Sequence, residues 1–260
     1  MNVLYKYCNQ LGIVKILGSL KLKLPYISEV NDPYECSAVF YCSDDKAAMG
    51  EQCLRTLKRN GISPPADWGH KLNELYETGE LRKRLEEGMR DFIREWNQRS
   101  CLLSVSKTAK EPVMWAHYAE VHKGAVIGID FDKLFKMNPV NYSKDRPRIN
   151  LLHEFTLENS LEIATTKSVA WSYEEEFRSV FDDASLRDLA QKDLSCIRDF
   201  NSKKTWFLRL SPESIREVVF GLYTEESLKS AIRKLIERPE LQHVKLYQAE
   251  ESETYTLNLK

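Results

Sequence analysis
The sequence predicts an α+β fold, with a mixed, largely antiparallel sheet and flanking helices. Two observations carry this expectation. Strand-like and helix-like segments follow one another without the strict alternation of a doubly wound parallel sheet. No strand-like run leads into G-x-G-x-x-G or G-x-x-x-x-G-K-[ST], so the nucleotide-binding folds built on those glycines are not expected. A third observation bears on domains. The 10 Gly and 9 Pro form no low-complexity tract, and no repeat appears in the 260 residues. No flexible linker divides the chain, so one domain is expected over residues 1–260, with a helical insertion at about 43–100.

The elements follow in order. Val3 to Tyr7 is short and aromatic and suits a strand. Leu11, Val14, Ile16, Leu17 and Leu20 suit a short helix. Leu22 and Leu24 lead to Pro25. Asn31-Asp32-Pro33-Tyr34-Glu35 reads as a turn or a helix start, because Asn and Asp cap well and Pro fits a first turn. Pro64-Pro65 breaks the chain between Gly61 and Trp68. Glu80 to Arg99 is the clearest helix, with Leu81, Leu85, Met89, Phe92, Ile93 and Trp96 on one stripe. Cys101 to Ser106 and Ala125 to Phe131 read as strands, with a short helix from Glu111 to Val121 between them. Ser168 to Arg178 leads into Ser179-Val180-Phe181. Thr205 to Leu210 and Glu217 to Gly221 are strands separated by a capped turn at Ser211-Pro212-Glu213. Thr224 is placed to cap a helix from Glu225 to about Glu237. Val244 to Ala249 and Tyr255 to Leu259 close the chain as strands.

Composition limits the function classes. Hydrophobic residues make up 42%, enough to bury a core without disulfides or metals. Charged residues reach 30%, yet the formal net charge is -1. That balance does not support nucleic-acid binding by phosphate neutralisation, although a local basic patch is compatible with it. The six cysteines include no C-x-x-C pair, and no histidine pair follows Cys36 and Cys42. Free thiols in a reducing, cytoplasmic setting are expected. The N-terminus lacks an apolar signal core, and no run approaches the roughly 20 apolar residues of a membrane span. No membrane partner is expected. His70, His122, His153 and His243 have no ligand-like spacing, so no metal site is expected either.

Four clusters combine residue types that carry chemistry. The first is Tyr5-Lys6-Tyr7, where strand alternation puts the two tyrosines on one face and the lysine on the other. These rings suit stacking on a flat ligand, or the edge of a sheet. The second is Asn31, Asp32 and Glu35, a helix N-terminus suited to an anionic ligand or a purely structural cap. The third is Ser104 and Ser106 followed by Trp115, His117 and Tyr118. Trp115 and Tyr118 are three apart and offer a stacking wall; His117 points elsewhere and suits a general base, or a core histidine. No G-x-S-x-G elbow supports a Ser–His nucleophile. The fourth is Lys167 followed by Trp171-Ser172-Tyr173-Glu174-Glu175-Glu176-Phe177-Arg178. If extended, it puts Glu174, Glu176 and Arg178 on one face, where paired carboxylates hold a ribose or stabilise an oxocarbenium ion. A solvated acidic stretch is the alternative.

Taken in order, L-Y-K-Y, N-D-P-Y-E, S-x-S-K, M-W-A-H-Y-A and W-x-Y-E-x-E-x-R resemble a widespread prokaryotic family of unknown function. That family is marked by N-D-P-[FY]-E and M-W-x-H-Y signatures, and the resemblance spans about residues 4 to 250. V-V-F-G at 218–221 looks like the family's late strand. The order of parts is also similar to ADP-ribosyltransferases, which bind NAD in a split mixed sheet. That likeness implies Tyr5 or Lys6 on the early strand, Ser104 and Ser106 on the middle one, and Glu176 or Glu174 as the key carboxylate. It departs in having no arginine or histidine on the first strand. The resemblance implies an NAD-consuming transferase or glycohydrolase, of a toxin or antiphage kind, acting on a macromolecular acceptor. Two alternatives stand beside it. One is a non-catalytic module that binds a nucleotide, a nucleic-acid end or a partner protein. The other is a hydrolase or nuclease using Glu174, Glu176 and His117.

Overall fold
The computed structural model describes residues 3–131, 135–200 and 203–260. The chain opens with β1 (Val3–Cys8), α1 (Gln10–Ser19), β2 (Lys21–Leu24) and β3 (Val39–Tyr41). Three helices follow: α2 (Lys46–Arg59), α3 (Trp68–Glu77) and α4 (Glu80–Arg99). Next come β4 (Cys101–Ser106), α5 (Pro112–Tyr118), β5 (Ala125–Asp130), and the short β6 (Asn138–Pro139), β7 (Asn141–Ser143) and β8 (Arg148–Asn150). The middle of the chain holds α6 (Leu157–Thr165), β9 (Thr166–Ser168), β10 (Glu176–Phe181) and α7 (Asp183–Gln191). It ends with β11 (Ser195–Phe200), β12 (Lys203–Arg209), β13 (Ile215–Phe220), α8 (Glu226–Ile236), β14 (Lys245–Glu251) and β15 (Leu257–Leu259).

The main sheet has the order β15-β14-β13-β5-β1-β4-β10-β6. Only β13 and β14 run parallel; every other neighbouring pair is antiparallel. The expected α+β class with a mixed, mainly antiparallel sheet is therefore observed. β5 (A-V-I-G-I-D) is buried at every position, as a central strand covered on both faces must be. β1 pairs with β5 over six residues but meets β4 at one pair alone, Tyr5 opposite Ser106. The sheet thus opens between β1 and β4.

One face of the sheet carries the largest core. Ile13, Ile16 and Leu17 of α1, with Leu228 and Ile232 of α8, pack on Leu4, Leu103, Val105, Ile127 and Ile129. The opposite face is covered in two separate patches. Over β5, β13 and β14 lie Trp115 and Met114 of α5, packed with Tyr7, Val126, Val219 and Ala249. Over β4 and β10 lie Ile93 of α4 and Ile163 and Ala164 of α6, packed with Leu102. The gap between the patches falls above the opening in the sheet. There the chain leaves a hollow.

Helices α2, α3 and α4 occupy much of residues 46–99 and share a small satellite core at Met49, Leu75 and Leu81. Some local readings need correction. Of the two readings of Asn31–Glu35 the turn is the one observed, closed by the Glu35 N–H on the Asp32 carbonyl at 3.0 Å, and no helix starts there. Thr224 does not cap α8, whose N-cap is Glu225. Its hydroxyl donates instead to the Gly124 carbonyl at 2.7 Å. Glu174 lies in a 3-10 turn over Val169–Glu174, not on a continuous strand with Glu176.

Candidate functional site
The opening between β1 and β4 contains a cleft of about 330 Å³. Strand alternation supplies its floor. Glu176 stands opposite Ser106 and Arg178 opposite Ser104, so these four side chains share one face of β10 and β4. Tyr5 and Tyr7 of β1 face the same side, and their hydroxyls donate to Glu217 and to the Thr108 carbonyl, each at 2.9 Å. Lys6 points off that face but reaches the cleft through the break in the sheet. Its ammonium donates to the Ser104 carbonyl at 2.8 Å, a group that β1 does not engage. Half-burial draws the Lys6 ammonium downward, and the charges of Glu176 and Glu174 oppose that only in part.

Across the floor stands a buried set of five charged groups. Arg178 is 1% exposed and binds Glu176 through two parallel bonds, Nε to Oε1 at 2.9 Å and Nη2 to Oε2 at 2.8 Å. Its Nη1 donates to Glu35 Oε1 and to the Ala164 carbonyl, both at 2.6 Å. Lys167, on β9, bridges three carboxylates: Glu174 at 2.5 Å, Glu176 at 3.2 Å and Glu35 at 3.7 Å. Two further hydroxyls complete the network. Tyr118 donates to Glu174 Oε1 at 2.7 Å, and Tyr142 accepts from the Glu176 N–H at 2.8 Å. Taking so many charges out of water is costly, so such a set adds little to stability and more often marks a working site.

Its two neighbouring carboxylates sit in opposite circumstances. Burial pushes the Glu174 carboxyl up, and the nearby charge of Glu176 adds to that rise. The Lys167 and Tyr118 donors offset it only in part. Burial also pushes Glu176 up, but the charge and hydrogen bonds of Arg178, together with Lys167 and Ser104, outweigh it and hold the group down at about 2. One carboxyl can thus exchange a proton while the other stays ionised. Tyr5 is pushed up to about 12 by burial and by its bond to Glu217, so its hydroxyl remains a donor.

The cleft gathers Tyr5, Lys6, Tyr7, Asn31, Glu35, Ser104, Ser106, Tyr118, Glu174, Glu176 and Arg178 from five separate stretches of sequence. Four other expected residues lie elsewhere. Trp115 is not a stacking wall: its ring is fully buried, edge-on to Tyr7 at 5.4 Å and stacked on His122 at 6.1 Å. Its indole N–H donates to the Ala109 carbonyl at 2.8 Å. His117 is exposed outside the cleft, beside Tyr173, because the face of α5 that carries Trp115 and Tyr118 turns inward. Asp32 shapes the turn by accepting from the Tyr34 N–H at 2.9 Å, and it contributes no anion site at a helix end. Trp171 lies behind the charged set, its ring 4.9 Å from the Lys167 ammonium, and so backs the lysine.

Tyr142, and the bridging role of Lys167 within the fourth cluster, are what sequence reasoning missed. Lys167 lies seven positions before Glu174, and only the fold brings it among the carboxylates. Tyr142 sits in a polar stretch that gives no signal; the parallel pairing of β7 with β9 sets it opposite Lys167. Among the described residues, no group of three His, Cys, Asp or Glu is arranged to hold a metal ion. No described helix is long and apolar enough to cross a membrane.

Residues 114–179 match a family described as a protein of unknown function (DUF2971). No curated protein and no solved structure matches the chain. The matched segment carries Tyr118, Lys167, Glu174, Glu176 and Arg178, while β1, the Asn31–Glu35 turn and β4 lie outside it. Over part of its length, this chain is thus distantly related to a prokaryotic domain of unknown function.

Proposed function
We propose that the cleft is the active centre of an enzyme that breaks an N-glycosidic bond of a nucleotide, with NAD as its substrate. One observation carries the reading: Glu174 and Glu176 share the Lys167 ammonium in one cleft but are pushed toward opposite protonation states. Glu176, held ionised, faces the positive charge that develops on a ribose as its bond to nicotinamide lengthens. Glu174 acts in its ionised form: the raised carboxyl is a stronger base than an ordinary carboxylate, and it takes the proton from the attacking water or acceptor hydroxyl as the new C–O bond forms. Nicotinamide leaves with the bonding electron pair, and the ADP-ribosyl group passes to the oxygen. Tyr5 and Tyr118 supply hydroxyls and ring faces for the base or sugar. The opening of the sheet between β1 and β4 fits the split-sheet likeness to ADP-ribosyltransferases, and a macromolecular acceptor falls within the same chemistry.

Incubation with NAD, following nicotinamide release, tests this. Wild-type protein should release nicotinamide, and Glu174→Gln and Glu176→Gln should each slow release by about a hundredfold or more. Absence of release by the wild type, or equal rates in all three proteins, sinks the reading. A binding module is the second reading. It is favoured by the engagement of both Glu176 oxygens by Arg178 and Lys167. It predicts that ADP-ribose binds to Glu176→Gln as it does to wild type, with no turnover by either.

A further inference from the structure
The three helices of residues 46–99 enclose a second hollow that the proposed reaction does not use. It measures about 700 Å³, twice the size of the cleft and within the range of small-molecule sites. α2, α3, α4 and residues 151–155 wall it. Leu75, Leu81 and Leu151 close its floor and are themselves buried. Leu57, Leu85 and Met89 continue the apolar surface upward.

The rim has the opposite character. Arg55, Lys58, Arg59 and Arg84 border the hollow, against one acid, Glu154. Arg55 and Arg84 are neutralised along their own helices by Glu51 at 2.6 Å and Glu80 at 3.3 Å. Lys58 and Arg59 have no carboxylate within 4 Å among the described residues; Arg59 lies over the Phe92 ring at 5.9 Å. An apolar interior with free cations at its mouth complements a molecule that is apolar along its length and anionic at one end.

Gly88 is the independent observation. It lies inside the 20-residue α4 and lines the hollow. Glycine is a poor helix former, tolerated where close approach or a left-handed backbone requires it. Neither applies: a Cβ added at Gly88 would meet nothing within 4 Å, and the residue is helical. The missing side chain leaves the hollow wider than the fold demands. Four elements surround the space, so it suits a slender chain better than the flat face of a docked helix.

We infer that this hollow binds a single-chain amphiphile with a carboxylate head, of the long-chain fatty acid class, with the head at Lys58 and Arg59 and the chain along Leu57, Leu85 and Met89. The test is a titration of the full chain with a dansyl-labelled fatty acid, with displacement by palmitate. Saturable binding at one site is expected, with the alcohol of equal chain length at least about tenfold weaker. Gly88→Leu fills the hollow with a better helix former; it should keep or raise the melting temperature and abolish binding, while Gly88→Ala retains it. Reversing both rim charges, Lys58→Glu with Arg59→Glu, touches only surface positions and should weaken binding about tenfold or more. The inference is overturned by absence of saturable binding to wild type, or by unchanged affinity in folded Gly88→Leu or in the charge-reversed protein. Sedimentation with phosphatidylglycerol vesicles without capture of monomeric palmitate would also overturn it, by assigning the face to a membrane surface. None of these readouts involves nicotinamide release, so the two proposals stand or fall separately.

Discussion
Two buried polar regions lie side by side on the same face of the sheet, and they are built on opposite plans. Around Trp115, every large group is aromatic or aliphatic, and the one indole donor meets the Ala109 carbonyl. Around Arg178, five charged side chains neutralise one another at the edge of an open cleft. The first region is ordinary packing that happens to contain polar rings. The second keeps charges out of water where an apolar replacement of equal volume would fold as well. Proximity in sequence to a histidine and a tyrosine made Trp115 look functional, but its burial without charge identifies it as core. The difference teaches that the sign of a site is the electrostatic expense, not the aromatic content.

That contrast can be broken first by its largest effects. Trp115→Ala and Arg178→Met should each cost about 3–5 kcal/mol in denaturant unfolding at neutral pH, the first by leaving a cavity and the second by stranding Glu176 and Glu35. They should then separate by pH. Trp115→Ala should lose the same amount across the acid range, whereas the loss from Arg178→Met should shrink as the stranded carboxylates are protonated. Equal pH profiles would show that the two regions do not differ in kind.

The two glutamates sharpen the comparison within the charged region. Glu176 is depressed from 4.5 to about 2 in the folded state, so its contribution is complete above pH 4.5 and lost as pH falls toward 2. Glu176→Gln should make the decline in stability over that window shallower. Glu174 is raised from 4.5, so its contribution is present below 4.5 and lost as pH rises through the folded value. Glu174→Gln should remove that loss. Melting temperatures measured from pH 2 to 8 should therefore bend in opposite senses for the two variants; bending in the same sense would refute the opposed assignment. The smallest effect belongs to His117→Ala, which should change stability by no more than about 0.5 kcal/mol and leave nicotinamide release unaltered. A loss of release there would return His117 to the reaction.

Much of this was legible in the chain. The strands β1, β4, β5 and β10 announce themselves as short runs of apolar, β-branched or aromatic residues, and the polar residues set within β1, β4 and β10 are the ones that reach the cleft. Eleven of the fifteen side chains singled out from sequence line it. Trp115 misled because a helix three-residue spacing puts it on the same side as Tyr118 without saying how deep each one lies. Tyr142 and the role of Lys167 were hidden because β7 and β9 are three residues each, too short for a period to show. Their place is set by long-range pairing, which local sequence does not encode.

Glu175 has a consequence for how such a site persists. It stands at φ 42°, in the left-handed region, between the 3-10 turn and β10, and its carbonyl accepts from the Lys107 N–H at 2.9 Å. That single corner is what aims both flanking carboxylates into one hollow; an extended backbone there would carry Glu174 away from the Lys167 ammonium. The solvent-facing side chain of Glu175 is free to vary, yet its backbone is not. Drift at this position is therefore restricted to residues at ease with such a bend, glycine, asparagine and aspartate above all, while valine or isoleucine would disarm the centre without touching any group in it.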